Sequence, residues 1–314
     1  MADEAHGIPG VYVTEGESFE RDTRYIDSRI TRDGRDGYPV EPGRYRLVVS
    51  RACPWASRLV IVRRLLGLEE ALPMAIAAPT HGPRSWNFDL DPDGVDPVLG
   101  IHELRDAYFA RIPGYPKGIT VPAIVDTTTG AVVTNDFVAM SIDLSTEWVD
   151  HHRIGAPDLA PDAWRDEMEE VMSGIYRDVN NGVYRCGFAR SQAAYDRAAG
   201  ELFAALDRVE AILAARPYLC GERLTEADVR LFPTLIRFDA VYHTHFKCNR
   251  RLVAQMPATH RWLARVFALP GVAQTVNLDH IRHHYYASHR HLNPSGIVPA
   301  GPDVIGALRA MHMI

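Results

Sequence analysis

Residues 44–67 read RYRLVVSRACPWASRLVIVRRLLG. The first seven form a β-rich run ending at Ser50. From Pro54 onward, Leu59, Val62, Leu65 and Leu66 fall at helical spacing, and Gly67 is a natural stop. Pro54 fits the first helical turn, where its missing N–H costs nothing. Cys53 therefore stands at the junction, just ahead of a helix. Free backbone N–H groups and the positive end of a helix dipole favour a thiolate at such a place. A second cysteine three positions on would make a dithiol, but Ala56 stands there. Cys53 is a monothiol, so disulfide chemistry needs its second thiol from outside the chain. The bland reading of a lone Cys-Pro is a buried, inert thiol. Trp55 and a Val121-Pro122 pair further on favour the reactive reading.

Working outward, LPMAIAA (72–78) is a second strand candidate. Residues 79–118 are rich in Pro, Gly and aromatics, with a helical piece around HELRDAYFARI. Long loops of this kind in compact domains are often functional. TVPAIVD (120–126), the turn TTTG and AVVT (131–134) read as a hairpin. Asn135 or Asp136 then caps the helix FVAMSIDLSTEWV. This order resembles a thioredoxin-like domain over residues 44–150. In such domains the proline of the Val-Pro pair is normally cis, and the backbone of the residue before it pairs with the peptide part of a bound thiol.

Residues 1–43 are polar and Gly-rich and read as an irregular extension. DHHRIGAPDLAPD (150–162) breaks periodicity, which places the domain boundary there. Residues 151–314 read as all-helical with a C-terminal tail. Tyr195, Ala198, Leu202, Ala205, Val209 and Leu213 form a stripe at spacings of three and four. Thr225 with Asp228 is a capping-box start, and Pro233 in that helix is expected to bend it. PATHRWLARVFAL and VNLDHIRHHYYASHR supply further helices.

Composition narrows the function classes. The chain has 314 residues, 46% apolar and 24% charged, which is ordinary for a globular protein of two domains or one large one. No apolar run approaches the roughly 18 residues of a membrane span, and MADEAHGIPG does not read as a secretory signal. A net charge of −6 argues against binding a nucleic-acid backbone. Cys53, Cys186, Cys220 and Cys248 are too scattered for a disulfide framework, so a reducing cytoplasm is the expected compartment. The last three read as packing residues. Lys117 and Lys247 are the only lysines among the 34 basic residues, a bias typical of a high-G+C bacterial genome. His280, His283, His284, His289 and His291 crowd one segment. His280 and His284 have a spacing that can bind zinc. With no third ligand of matching character nearby, a polar, partly cationic helix face is expected there, and no metal site.

The segments SRACPWASR, SWNF, TVPAIVD, NNGVYRCGFA, LTEADVRLFPTLIRFDAVYHTHFKCN, HYY and LNPSGIVPAGP together resemble the Xi class of glutathione transferases, the glutathionyl-hydroquinone reductases. The resemblance runs from about residue 8 to about residue 302. It implies a thioredoxin-like N-terminal domain followed by an all-helical C-terminal domain, and a homodimer built through the latter. By the same resemblance Cys53 is the nucleophile and Trp86 packs on the bound thiol peptide. Tyr184 is the proton donor, and Tyr242 and Tyr285 help to lower the cysteine pKa. The thiol-binding strip is Lys117, Gly118, Ile119, Thr120 and Val121, with Asp136 and Phe137.

The sequence departs from the family at this strip. Gly118, beside Lys117, stands where the family has Arg. Asp136-Phe137 stands where it has Glu-Ser to hold the γ-glutamyl group. Each lost hydrogen bond to a charged group costs about 1.5–3 kcal/mol, so the co-substrate is either glutathione or another low-molecular-weight thiol. Mycothiol, a cysteinyl-sugar common in high-G+C actinobacteria, lacks a γ-glutamyl group. The expected reaction is removal of the thiol from S-conjugated hydroquinones or related aryl thioethers through a Cys53 mixed disulfide. The competing reading is a non-catalytic thiol-binding protein of the same fold. A conjugating transferase is disfavoured, because that chemistry activates the co-substrate's thiol, usually with Ser or Tyr.

Overall fold

A computed structural model describes residues 18–19, 21, 26–82 and 85–311. It divides into two compact units, one formed by the described residues of Thr23–Ala156 and the other by Pro157–Ile314 with the described residues of Tyr12–Asp22.

The first unit is a four-stranded mixed sheet with helices. Strands β1 (Tyr45–Ser50), β2 (Met74–Ala77), β3 (Ala123–Asp126) and β4 (Ala131–Thr134) lie in the order β2-β1-β3-β4. β1 runs parallel to β2, with Ser50 opposite Ala77. It runs antiparallel to β3, with Val48 opposite Ala123. β3 and β4 form the expected hairpin, with a register shift between Ile124 and Val125. Every residue of β1 is buried, as expected of a central strand covered on both faces. Helix α1 (Pro54–Leu66) stops where Gly67 turns to φ 76 and donates its N–H back to Arg63 O, the glycine-specific left-handed stop. Helices α2 (Leu104–Arg111) and α3 (Phe137–Thr146) complete this unit.

The first unit continues to Ala156, inside the 150–162 segment and past residue 150. Arg153 explains this: its N–H donates to Leu66 O at 2.8 Å and its Nε to Leu65 O at 3.0 Å, tying the segment to the end of α1. The expected irregular extension over residues 1–43 is only partly described, since 1–17, 20 and 22–25 lie outside the described residues. Its later part joins the sheet unit, with Asp27 bridged to Thr134 at the end of β4.

The second unit is helical: α4 (Arg165–Ile175), α5 (Gly182–Gly187), α6 (Gln192–Ala215), α7 (Glu226–Arg237), α8 (His243–His245), α9 (Pro257–Phe267), α10 (Leu278–Ser288) and α11 (Val304–Met311). Ala198, Leu202, Ala205, Val209 and Leu213 of α6 are buried, which is the stripe expected from their spacing. α7 opens on the Thr225–Asp228 pair, the Thr225 N–H donating to Asp228 Oδ2 at 3.0 Å. Two widened π-helical turns interrupt the bundle. Tyr176–Asn180 links α4 towards α5, and Phe238–Tyr242 joins α7 to α8. No described helix is long and apolar enough to cross a membrane.

Candidate active site

The topology gathers the residues singled out for thiol binding at one end of the sheet. β1 and β2 finish there, β3 begins there and β4 finishes there, so the connections carrying Cys53, Trp86, Val121 and Asp136 all leave from the same edge. Cys53 is the N-cap of α1, and its Sγ accepts the Ala56 N–H at 3.5 Å. Its thiol lies 3.3 Å from Val121 O, and the Val121-Pro122 peptide is cis. Cys53 is 9% exposed, and its sulfur sits against the Ala56 N–H at the start of α1. A thiolate is stabilised in such a setting.

The segment entering Val121 is pinned from two sides. The Tyr108 hydroxyl donates to Thr120 O at 2.8 Å, and Asn135 Nδ2 donates to Thr120 Oγ1 at 2.9 Å. Asn135 also receives the Ile26 N–H on Oδ1 at 2.8 Å. That leaves capping to Asp136, whose Oδ1 accepts from Val138 N at 3.0 Å and from Ala139 N at 3.3 Å. Phe137, the first residue of α3, turns into the protein. Its ring lies 4.7 Å from that of Trp55, and the buried Arg58 guanidinium sits over both rings, 4.6 Å and 5.5 Å from their centroids. The Phe137 ring thus packs between the starts of α1 and α3, and it offers no hydroxyl there. Ile119 is buried, and Lys117 and Gly118 are half-buried. Trp86 is buried with His81 edge-on at 5.5 Å, and burial lowers the His81 pKa.

In the helical unit the three tyrosines singled out by the sequence meet in one chain. The Tyr184 and Tyr285 hydroxyls are 2.7 Å apart, and Tyr285 is 2.8 Å from Tyr242. All are buried, and burial pushes the central Tyr285 phenol well above its ordinary pKa, reinforced by its two phenol neighbours and opposed by Arg237. Tyr184 stacks on Phe19, with the Arg21 guanidinium 5.0 Å from its ring centroid. Tyr242 stacks on Phe246 at 5.4 Å.

Sequence reasoning passed over Arg58, Arg237, Phe19 and Arg21. A buried arginine carries no local signal in an arginine-rich chain, and Phe19 and Arg21 lie in a segment without periodicity. Among the described residues no group of three or more His, Cys, Asp or Glu side chains is arranged to hold a metal ion. His245 and His289 pair, Nε2 to Nδ1 at 3.1 Å, and stack with their centroids 5.3 Å apart.

A mixed sheet with a Cys at a helix start beside a cis-proline, followed by a helical bundle, is the plan of a glutathione transferase. Residues 192–265 match the family model for the glutathione S-transferase C-terminal domain. The chain is 42% identical over 278 residues to the glutathionyl-hydroquinone reductase PcpF of Sphingobium chlorophenolicum, covering 86% of this chain and 87% of that protein. It is similar to a solved glutathione transferase from Gordonia bronchialis, 59% identical with a TM-score of 0.89, covering 91% of this chain and 89% of that one. The glutathione-bound structure of Escherichia coli YqjG is 38% identical with a TM-score of 0.84, over 89% of this chain and 94% of the other. The chain belongs to the Xi class of glutathione transferases, the glutathionyl-hydroquinone reductase family, and is an enzyme of that kind.

Proposed function

We propose that this enzyme removes a low-molecular-weight thiol from S-conjugated hydroquinones or related aryl thioethers. The observation that carries the reading is the Cys53 thiol at the start of α1, within 3.5 Å of the Ala56 N–H and 3.3 Å from Val121 O. The Cys53 thiolate attacks the thioether sulfur. A Cys53 disulfide to the thiol forms, the aryl carbon–sulfur bond breaks, and the carbon takes a proton from Tyr184. A second thiol molecule then attacks the mixed disulfide, releasing the thiol disulfide and restoring Cys53. Tyr242 holds Tyr285, and Tyr285 holds Tyr184, so the acid sits at the end of a hydrogen-bonded relay.

Glutathione is the co-substrate that the family favours, and the glutathione-bound relative supports it. A second reading, mycothiol, is favoured by Gly118, by Phe137 and by the shorter Asp136, one of whose carboxylate oxygens, Oδ1, caps α3. The protein is further expected to form a homodimer through its helical unit.

Cys53→Ser should abolish turnover of a thiol-conjugated hydroquinone. Wild-type enzyme quenched in turnover should carry one thiol on Cys53 by mass, and that mass identifies the thiol. Substantial activity in Cys53→Ser would sink the mechanism. A Cys53 that titrates near the ordinary value of about 8.5 and gives no turnover would indicate a thiol-binding protein instead.

A further inference from the structure

A second pair of thiols lies in the helical unit, separate in sequence from Cys53. Cys186 is on α5, two residues after Tyr184, and Cys248 follows α8. Both are buried and unbridged. Three observations bring them together. Cys186 lines the same cavity as Lys247 and Asn249, the two chain neighbours of Cys248. The Cys248 Sγ also lies 3.9 Å from Val183 O, on the turn of α5 that precedes Cys186. Tyr195 is in electrostatic contact with both sulfurs.

The pair has a way in from outside. Cys186 lines a cavity of about 370 Å³ whose walls also include Arg190, Tyr195 and Lys247. The Tyr195 hydroxyl donates to Lys247 O at 2.6 Å. Lys247 is held at φ 59, a conformation that non-glycine residues seldom adopt. Cys186 thus lines a cavity with two cationic side chains, and Cys248 is buried against the α5 turn that leads into Cys186.

We propose that Cys186 and Cys248 form a redox dithiol that exchanges with an anionic low-molecular-weight disulfide admitted by the Arg190–Lys247 cavity. The Cys186 thiolate attacks one sulfur of the incoming disulfide. A Cys186 mixed disulfide forms, the incoming sulfur–sulfur bond breaks, and the first thiol leaves with the proton that Cys186 gave up. Cys248 then attacks the Cys186 sulfur, and the second thiol leaves with the Cys248 proton. Two electrons pass from the protein pair to the small disulfide, leaving a Cys186–Cys248 bridge and two free thiols. Complete burial raises the Cys248 pKa well above its ordinary value, so its attack on the mixed disulfide is the slower step and quickens as pH rises. The bridge would fasten α5, which carries Tyr184, to the segment after α8.

The test uses the full chain carrying Cys53→Ser, so that its outcome is independent of the Cys53 mechanism. This protein is incubated with glutathione disulfide, its thiols are blocked, and peptides are mapped without reduction. The expected result is a single linked pair, Cys186 to Cys248, formed in the folded protein and reversed by dithiothreitol. Recovery of both thiols in reduced form overturns the proposal, as does a glutathione adduct that persists on Cys186. Adding Cys248→Ala should trap that adduct on Cys186, and its absence there counts equally against the site. Lys247→Glu should slow bridging about tenfold or more; an unchanged rate removes the cavity from the argument.

Discussion

Phe137 stands where the family places a serine, and its ring packs against Trp55 and Arg58. A serine in its place would offer a hydroxyl at the first turn of α3. It would also empty the space beside Trp55 and under Arg58 that the phenyl ring fills. Phe137→Ser is therefore expected to lower stability by about 3 kcal/mol. If glutathione is the thiol, it should also tighten glutathione binding about tenfold through one recovered hydrogen bond to a charged group. Thermal unfolding and calorimetric titration with glutathione measure the two effects separately. Destabilisation with no gain in glutathione binding would remove Phe137 as a determinant of thiol choice. The sequence made Phe137 conspicuous, but its direction was illegible there, because the partner rings come from α1, some eighty residues earlier.

At the scale of elements, short-range chemistry was the most legible. The Gly67 stop, the hairpin over TTTG and the Thr225–Asp228 start all rest on residues within a few positions of one another. Gly67 has positive φ, and an added Cβ would meet Arg153 Cβ at 2.6 Å. Gly67→Ala should therefore cost about 1–3 kcal/mol in denaturant unfolding. Asp228 does more than begin α7. Its carboxylate also receives Leu219 N at 3.0 Å and Trp262 Nε1 at 2.8 Å, while burial raises its pKa against those donors. Asp228→Ala leaves several buried donors unsatisfied and should destabilise the protein by about 3–5 kcal/mol. The α9 partner, Trp262, could not be read from the capping pattern, since a cap motif specifies only its own turn.

At the scale of the whole molecule, the order of a sheet unit and a helical unit was readable from the switch in periodicity, and the place of Cys53 at a helix start from the motif around it. The 3.3 Å approach of its thiol to Val121 O was not readable, nor was the placing of Cys248 against α5, because these partners are far apart in the chain. Nor was the partnership of His245 with His289. Burial, followed by the positive charges of Lys247 and His291, lowers the His245 pKa to about 4. Between about 6.5 and 4 the unfolded chain takes up a proton on His245 that the folded chain refuses, so this contribution to stability is present above 6.5 and is lost as the pH falls towards 4. Its size should be about 2–3 kcal/mol. Urea midpoints compared at pH 7 and pH 4.5 should fall further in the wild type than in His245→Gln, and equal falls would assign the acid sensitivity elsewhere.

The widened turn at Phe238–Tyr242 closes on a hydrogen bond from His243 N–H to Phe238 O, one residue longer than an α-helical closure. One surplus residue rotates everything downstream by about 100° about the helix axis. The bearing of Tyr242 towards Tyr285 is thus a matter of chain length as well as side-chain identity. Deleting Ala240 would spare every tyrosine, yet it should swing Tyr242 out of the phenol chain. A family that carries such a turn can lose its chemistry through a one-codon deletion while keeping every residue that touches the substrate.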